Sequence, residues 1–139
     1  MLTIGELAGR TGVAASALRY WDEIGLLPAP ARVSGRRRYP PSAVQQVGVI
    51  LLLRDVGFTL GEIKEFFSRE DATWRDLYRR KIDELDRQIT KARTARAALA
   101  HGLNCPHTHV TDCPHFTGGL AAYMAGASLA EAHERAHSS

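Results

Sequence analysis

Thr3-Ile4-Gly5-Glu6-Leu7-Ala8-Gly9-Arg10-Thr11-Gly12-Val13-Ala14-Ala15-Ser16-Ala17-Leu18-Arg19-Tyr20-Trp21-Asp22-Glu23-Ile24-Gly25-Leu26-Leu27 is the stretch that decides the fold. Thr3 and Glu6 have the spacing of a capping box, in which hydroxyl and carboxylate satisfy reciprocal backbone donors at a helix start, so a first helix is expected from about Ile4 to Gly9. Thr11-Gly12-Val13 reads as a tight turn. Leu18, Trp21 and Ile24 then recur at helical spacing until Gly25 supplies a left-handed stop, which gives a second helix from about Ala15 to Ile24. Two short helices across a Gly-containing turn make a helix-turn-helix, a pattern shared by helical hairpins with no DNA role.

Working outward, Pro28-Ala29-Pro30 ends any helix, and Arg32 to Tyr39 reads as a small hairpin turning at Ser34-Gly35, the expected place for a wing. Pro40-Pro41-Ser42 opens a third helix, apolar at Val44, Val47, Ile50 and Leu51 and ending near Val56-Gly57. Thr59 and Glu62 repeat the capping-box spacing before a short helix whose buried face carries Ile63, Phe66 and Phe67. From about Thr73 to Leu103, Tyr78, Ile82, Leu85, Ile89, Ala92, Arg96, Leu99 and Leu103 follow a four-three spacing, a heptad seam on one long helix. A lone helix cannot bury such a stripe. The seam residues Tyr78, Ile82, Leu85, Ile89, Ala92 and Leu99 are therefore candidate dimerisation contacts, with packing against the chain's own N-terminal domain as the alternative. Gly102 and two Cys-Pro pairs then force a loop, and Ala121 to Ala136 can form a short weak helix. The expected class is mainly α: a winged helix-turn-helix domain over 1–70, a coiled-coil dimerisation helix over 72–103, and a sensor loop and tail over 104–139.

Charge separates these parts. The net +3 of the 139-residue chain is unevenly spread: residues 1–54 hold seven arginines (10, 19, 32, 36, 37, 38 and 54) against Glu6, Asp22 and Glu23, a net of +4, while the remainder carries −1. A polyanionic partner for the N-terminal part follows. No apolar stretch is long enough for a bilayer, and the N-terminus lacks the basic start, apolar centre and cleavage site of a secretory signal, so a cytoplasmic, nucleoid-associated protein without membrane contact is expected. Catalytic triads, phosphate loops and paired acid/base groups are absent from the sequence, which speaks against an enzyme.

The segments Thr3 to Ala8, Thr11-Gly12-Val13, Leu18 to Leu27 and Gly35-Arg36-Arg37-Arg38-Tyr39, in that order, strongly resemble the MerR family of transcription regulators over about Leu2 to Leu103. The resemblance implies that Leu18 to Leu27 forms the recognition helix and Gly35 to Tyr39 the wing. It implies a homodimer joined by an antiparallel coiled coil, bound to double-stranded promoter DNA that it bends and untwists for RNA polymerase when a ligand binds. Such deformation costs on the order of 1 to 10 kcal/mol. The candidate DNA-binding residues are Ser16, Arg19, Trp21, Arg32, Arg36, Arg37, Arg38 and Tyr39. Arg19 can reach a guanine edge or a phosphate. Arg32 and Arg37 match phosphate-contacting positions, with an internal ion pair as the alternative for Arg37. Trp21 stands where the family usually has Tyr, and its indole N–H can donate to a phosphate. Tyr39 reads more as core with a polar tip than as a base reader.

Asn104 to Pro114, with Cys-Pro pairs at 105 and 113, resembles the metal loop of the family's copper-efflux regulators. Two facing thiolates suit Cu(I), the first choice of cofactor; His107, His109 and His115 admit a Cys2His2 site for Zn(II), the second. Glu70-Asp71-Ala72-Thr73 lacks the additional Cys of the family's divalent-metal branch. Thiol oxidation or electrophile sensing through the same cysteines is the alternative within the fold, and a cytoplasmic metal chaperone or buffer the alternative outside it.

Overall fold

The computed structural model describes residues 1–28, 31–68 and 74–137, the His137 side chain excepted. The expectations placed on Ala29-Pro30, on the Glu70 to Thr73 stretch and on the 70/72 domain boundary lie outside the described residues. The elements are α1 (Ile4–Thr11), α2 (Ala15–Glu23), β1 (Ala31–Val33), β2 (Arg36–Arg38), α3 (Ser42–Val56), α4 (Leu60–Ser68), α5 (Trp74–Gly102), a 3-10 turn (Val110–Asp112), α6 (Pro114–Met124) and α7 (Leu129–His137). They form two compact units, Met1–Lys81 and Ile82–Ser139, whose boundary falls inside α5.

In the first unit both capping boxes close. Glu6 N–H donates to Thr3 Oγ1 at 3.0 Å and Thr3 N–H to Glu6 Oε1 at 3.2 Å; Thr59 and Glu62 repeat the exchange at 2.9 and 3.1 Å. The β1 and β2 strands pair antiparallel across Ser34 (φ 53°) and Gly35 (φ 75°), two consecutive left-handed residues, as the tightest twisted hairpin turn requires. Leu2 and Tyr39 exchange backbone hydrogen bonds at 2.7 Å, which ties the start of the chain to the base of the wing. The core beneath comprises Leu7, Leu18, Trp21, Leu26, Tyr39, Val47, Ile50 and Ile63 with their neighbours. Along α3 the buried residues are Ala43, Val47, Ile50 and Leu53, whereas Leu51 is exposed. That helix is apolar nearly all round, so its composition left the core-facing side open.

Lys81 is the buried charged residue of the described core, 4% exposed. Its ammonium donates to the Gly57 carbonyl at 3.0 Å and to Glu62 Oε1 at 3.3 Å, and stands 5.0 Å from the Phe58 ring centroid. One cation thus satisfies a carbonyl at the end of α3 and pairs with the first turn of α4. The Glu62 carboxyl is held below its ordinary 4.5, first by the Thr59 backbone N–H and further by Lys81. A lowered folded-state pKa means that this contribution to stability is complete above the unfolded value and is lost as pH falls through the folded one. Lys81→Met keeps the apolar stem but strands both acceptors; a loss of about 1–3 kcal/mol in urea unfolding is expected. A loss within about 0.5 kcal/mol would show the ammonium to be dispensable.

In the second unit, the single weak helix expected over Ala121 to Ala136 is two helices broken at Gly126 (φ 106°). Pro114 sits at the first position of α6, where its missing N–H costs nothing. Ser128 caps α7, accepting from Glu131 N–H at 3.1 Å. The hairpin packs closely at Gly119, where an added Cβ would lie 3.2 Å from the Ala132 carbonyl oxygen and 3.3 Å from Ala136 Cβ.

Candidate nucleic-acid interface and candidate metal centre

Helix α2 buries Leu18 and Trp21, three residues apart, and this fixes what its other side presents. Ser16, Arg19, Tyr20 and Glu23 are all exposed, spaced as one helical face. Tyr20, 51% exposed, escaped the sequence reading, although the inward pair at 18 and 21 already places residue 20 outside. Two candidates are corrected. Trp21 is 4% exposed and Tyr39 fully buried, both in the core, so neither side chain stands on the surface that a duplex could meet. Their apolar area outweighs the single polar atom each carries.

In the wing, Arg32 and Arg36 are exposed while Arg37 and Arg38 are half-buried. Arg32 is the cross-strand partner of Arg37, which places like charges on one face of the ribbon. Asp22 of α2 relieves this: its carboxylate is ion-paired with the Arg37 guanidinium and accepts the Tyr39 hydroxyl at 2.8 Å. Hydrogen bonding to Asp22 raises the Arg37 pKa, and burial first, then Asp22, raises that of Tyr39. The three side chains lock the hairpin to α2, the internal pairing that stood as the alternative for Arg37. In DNA-binding assays Asp22→Asn and Arg37→Ala are expected to weaken affinity together, with a double-mutant coupling of about 0.5–3 kcal/mol. If Arg37→Ala alone reduces the salt slope by about one while Asp22→Asn changes nothing, Arg37 is a phosphate contact instead.

The second site begins where α5 ends. Asn104 and Cys105 fold back with N–H bonds of 3.0 Å to the carbonyls of His101 and Gly102, and Cys113 N–H bonds Val110 across the 3-10 turn, also at 3.0 Å. These turns bring Cys105, His107 and Cys113 together, their ligand atoms all within 4.8 Å of one another. Cys113 is buried, Cys105 half-buried and His107 exposed. Cys113 occupies the N-cap position of α6, and its thiol is held below the ordinary 9.0, first by the Phe116 backbone N–H, with further help from Cys105 and the His115 N–H. Two sulfurs and an imidazole are a donor set for a soft or borderline metal ion. The other candidate ligands are not part of this group: His109 lies exposed ahead of the 3-10 turn, and His115 Nδ1 is 2.7 Å from the Ala136 carbonyl on α7. Sequence proximity put them near the cysteines; the local turns separated them.

Of the seam residues on α5, Ile82 (55%), Ile89 (47%) and Leu99 (75%) are exposed together with Tyr78 and Ala92, while Leu85 is half-buried. Leu77, outside the seam pattern, is buried in the first unit together with Lys81. Among the described residues no helix is long and apolar enough to cross a membrane.

Comparison with known proteins accords with this arrangement. Residues 2–70 match the model of the MerR HTH family of regulatory proteins, and residues 44–102 that of the MerR DNA-binding segment. The mercuric resistance operon regulatory protein of Bacillus cereus is 33% identical over 120 residues, covering 80% of this chain and 91% of that one. The transcriptional regulator CueR of Salmonella typhi is 30% identical over 121 residues, covering 81% and 88%. Among solved structures, PbrR691 of Ralstonia metallidurans in complex with lead(II) superposes with a TM-score of 0.68 at 24% identity, over 78% of this chain and 91% of that one. HiNmlR, a MerR family regulator lacking the sensor domain and bound to promoter DNA, superposes at 0.52 and 27% identity, over 73% and 86%. The chain, a DNA-binding transcription regulator and not an enzyme, belongs to the MerR family.

Proposed function

We propose that this regulator answers a soft metal ion held by Cys105 and Cys113, and that occupancy switches transcription more than operator binding. The observation that carries the reading is the meeting of two thiols and one imidazole within 4.8 Å on a loop directly after α5. Cu(I) ranks first, because two thiolates suffice for a linear site, whereas Zn(II) wants four ligands and the group supplies three. The names of the mercuric-resistance relative and of the lead(II) complex add support for a thiophilic ion. Dimerisation through the exposed α5 stripe belongs to the same reading: two winged domains on double-stranded promoter DNA, with RNA polymerase as the further partner and the cytoplasmic nucleoid as the place. Ser16, Arg19, Arg32 and Arg36 are the side chains free to meet the duplex, with Tyr20 beside them. A metal chaperone or buffer has no use for that basic face.

The test is anaerobic titration of the reduced protein with Cu(I) and Zn(II) under a competing chelator, alongside promoter gel shifts at moderate salt. One ion per Cys105–Cys113 pair and a metal-independent shift are expected. Failure of both ions to compete with the chelator overturns the metal reading; binding of metal without any promoter shift would favour the buffer.

A further inference from the structure

Lys81 is the last residue of the first unit, and α5 continues through it as one helix to Gly102. Two kinds of contact hold the root of that helix. One is apolar: Leu77 is buried, and Tyr78 lies against Phe58 and Phe66 with ring centroids 5.9 and 6.5 Å apart. Such packing rewards buried area and not direction, so it tolerates a small slide or turn of the helix. The other contact is polar. One turn on from Leu77, the Lys81 ammonium donates to the Gly57 carbonyl at the end of α3 and to Glu62 Oε1 in the first turn of α4, at 3.0 and 3.3 Å. Hydrogen bonds weaken steeply as they bend, so acceptors from two different helices hold a buried ammonium, and with it α5, in one rotational setting. Fixing a register is the best-attested use of a buried ionic group. Arg80 and Glu65 also pair here, at 3.4 Å, but an exposed arginine contributes little of this kind.

We propose that Lys81 is a positioning residue for DNA recognition: by pinning the root of α5 to the turn between α3 and α4, it makes the dimer selective for the spacing of its two half-sites. This rests on dimerisation through the α5 seam and is independent of the metal. In such a dimer each first unit meets one half-site. One base pair added between the half-sites turns one against the other by about 35° and shifts it by about 3.4 Å. With both roots pinned, the duplex has to absorb that mismatch, and its stiffness makes the deformation costly. With the pin removed, the protein absorbs it. Loss of the ammonium therefore leaves the contact with a single half-site intact and relaxes the choice of spacing.

The experiment uses the metal-free full chain and a duplex selected by the parent protein from a random-sequence pool. Versions with one base pair more or fewer at the centre, and an isolated half-site, are compared with it in gel shifts. The parent is expected to favour the selected spacing by at least about tenfold, and Lys81→Met to bring that ratio below about threefold with half-site affinity within about twofold of the parent. Leu77→Ala removes packing one turn away and is itself strongly destabilising, yet it should keep the parent's ratio, because the contact it removes is not directional. Glu62→Gln removes the charge and retains an oxygen for the Thr59 N–H; it should narrow the ratio partway, and it replaces Lys81→Met as the deciding variant if that protein fails to bind a half-site. Sedimentation accompanies each series. A monomeric parent overturns the dimer reading and this proposal with it. A dimeric parent that has no spacing preference, or whose preference survives the deciding variant, overturns this proposal alone, as does a Leu77→Ala protein that relaxes spacing as far as Lys81→Met does.

Discussion

Ile89→Asp is expected to turn the protein into a monomer that holds a full operator no better than a half-site. In the single chain Ile82, Ile89 and Leu99 stand in solvent along one stripe of α5, and nothing among the described residues covers them. Apolar area of that kind, repeating every three or four residues, is buried when two such helices meet, at roughly 25 cal/mol per Å². A carboxylate placed in the desolvated seam costs several kcal/mol if it stays charged, and each dimer carries two. Losing the second DNA-binding domain removes the avidity of a two-site complex, so operator affinity should fall by about 10²–10⁴. Sedimentation velocity and gel shifts on full and half operators measure both effects. An intact dimer in Ile89→Asp would place the interface elsewhere and leave the stripe without a role.

Local chemistry was legible in the sequence wherever a feature depends on neighbours in the chain. The two Thr-x-x-Glu boxes, the left-handed Ser34-Gly35 turn and the Gly57 stop all lie within a few residues of the groups they bond. Burial that depends on distant partners was not. Trp21 and Tyr39 carry polar atoms that fit either a phosphate or the core, and only the packing of α1, α3 and the wing decides for the core. Asp22 shows the same limit, since no pattern connects a carboxylate on α2 with an arginine and a tyrosine fifteen and seventeen positions on. Lys81 reads as one more surface cation on a charged helix until Gly57 and Glu62 are seen around it. The α6 and α7 pair was hidden by low apolar contrast, although Pro114 and Ser128 carried the start signals. At the thiol loop, the sequence supplied the five candidate ligands, and the turns selected three of them.

Cys113→Ser is expected to abolish metal-dependent transcription while repression and operator affinity stay near those of the parent. The substitution is structurally mild: Cys113 occupies the N-cap position of α6, where Ser is among the preferred residues, so the helix start survives and the sulfur alone is removed. A hydroxyl is a hard, protonated donor near neutral pH and a poor ligand for a soft ion, so affinity should fall by at least about the 10–100-fold that follows loss of a mere supporting contact. The lowered thiol pKa sets the pH dependence. A thiol that deprotonates below its usual range competes less with protons, so metal affinity of the parent should level off at a lower pH than that of a peptide carrying the same two cysteines. Cys105→Ser should match Cys113→Ser, because the two sulfurs form one group. His107→Ala separates the ions: a small effect marks a two-thiolate Cu(I) site, and a loss as large as that of a thiol marks Zn(II). Competition titrations and in vitro transcription on a supercoiled promoter read these outcomes. If both cysteines are replaced together and the response to metal persists, the ion is sensed outside this loop and the assignment of the second site falls.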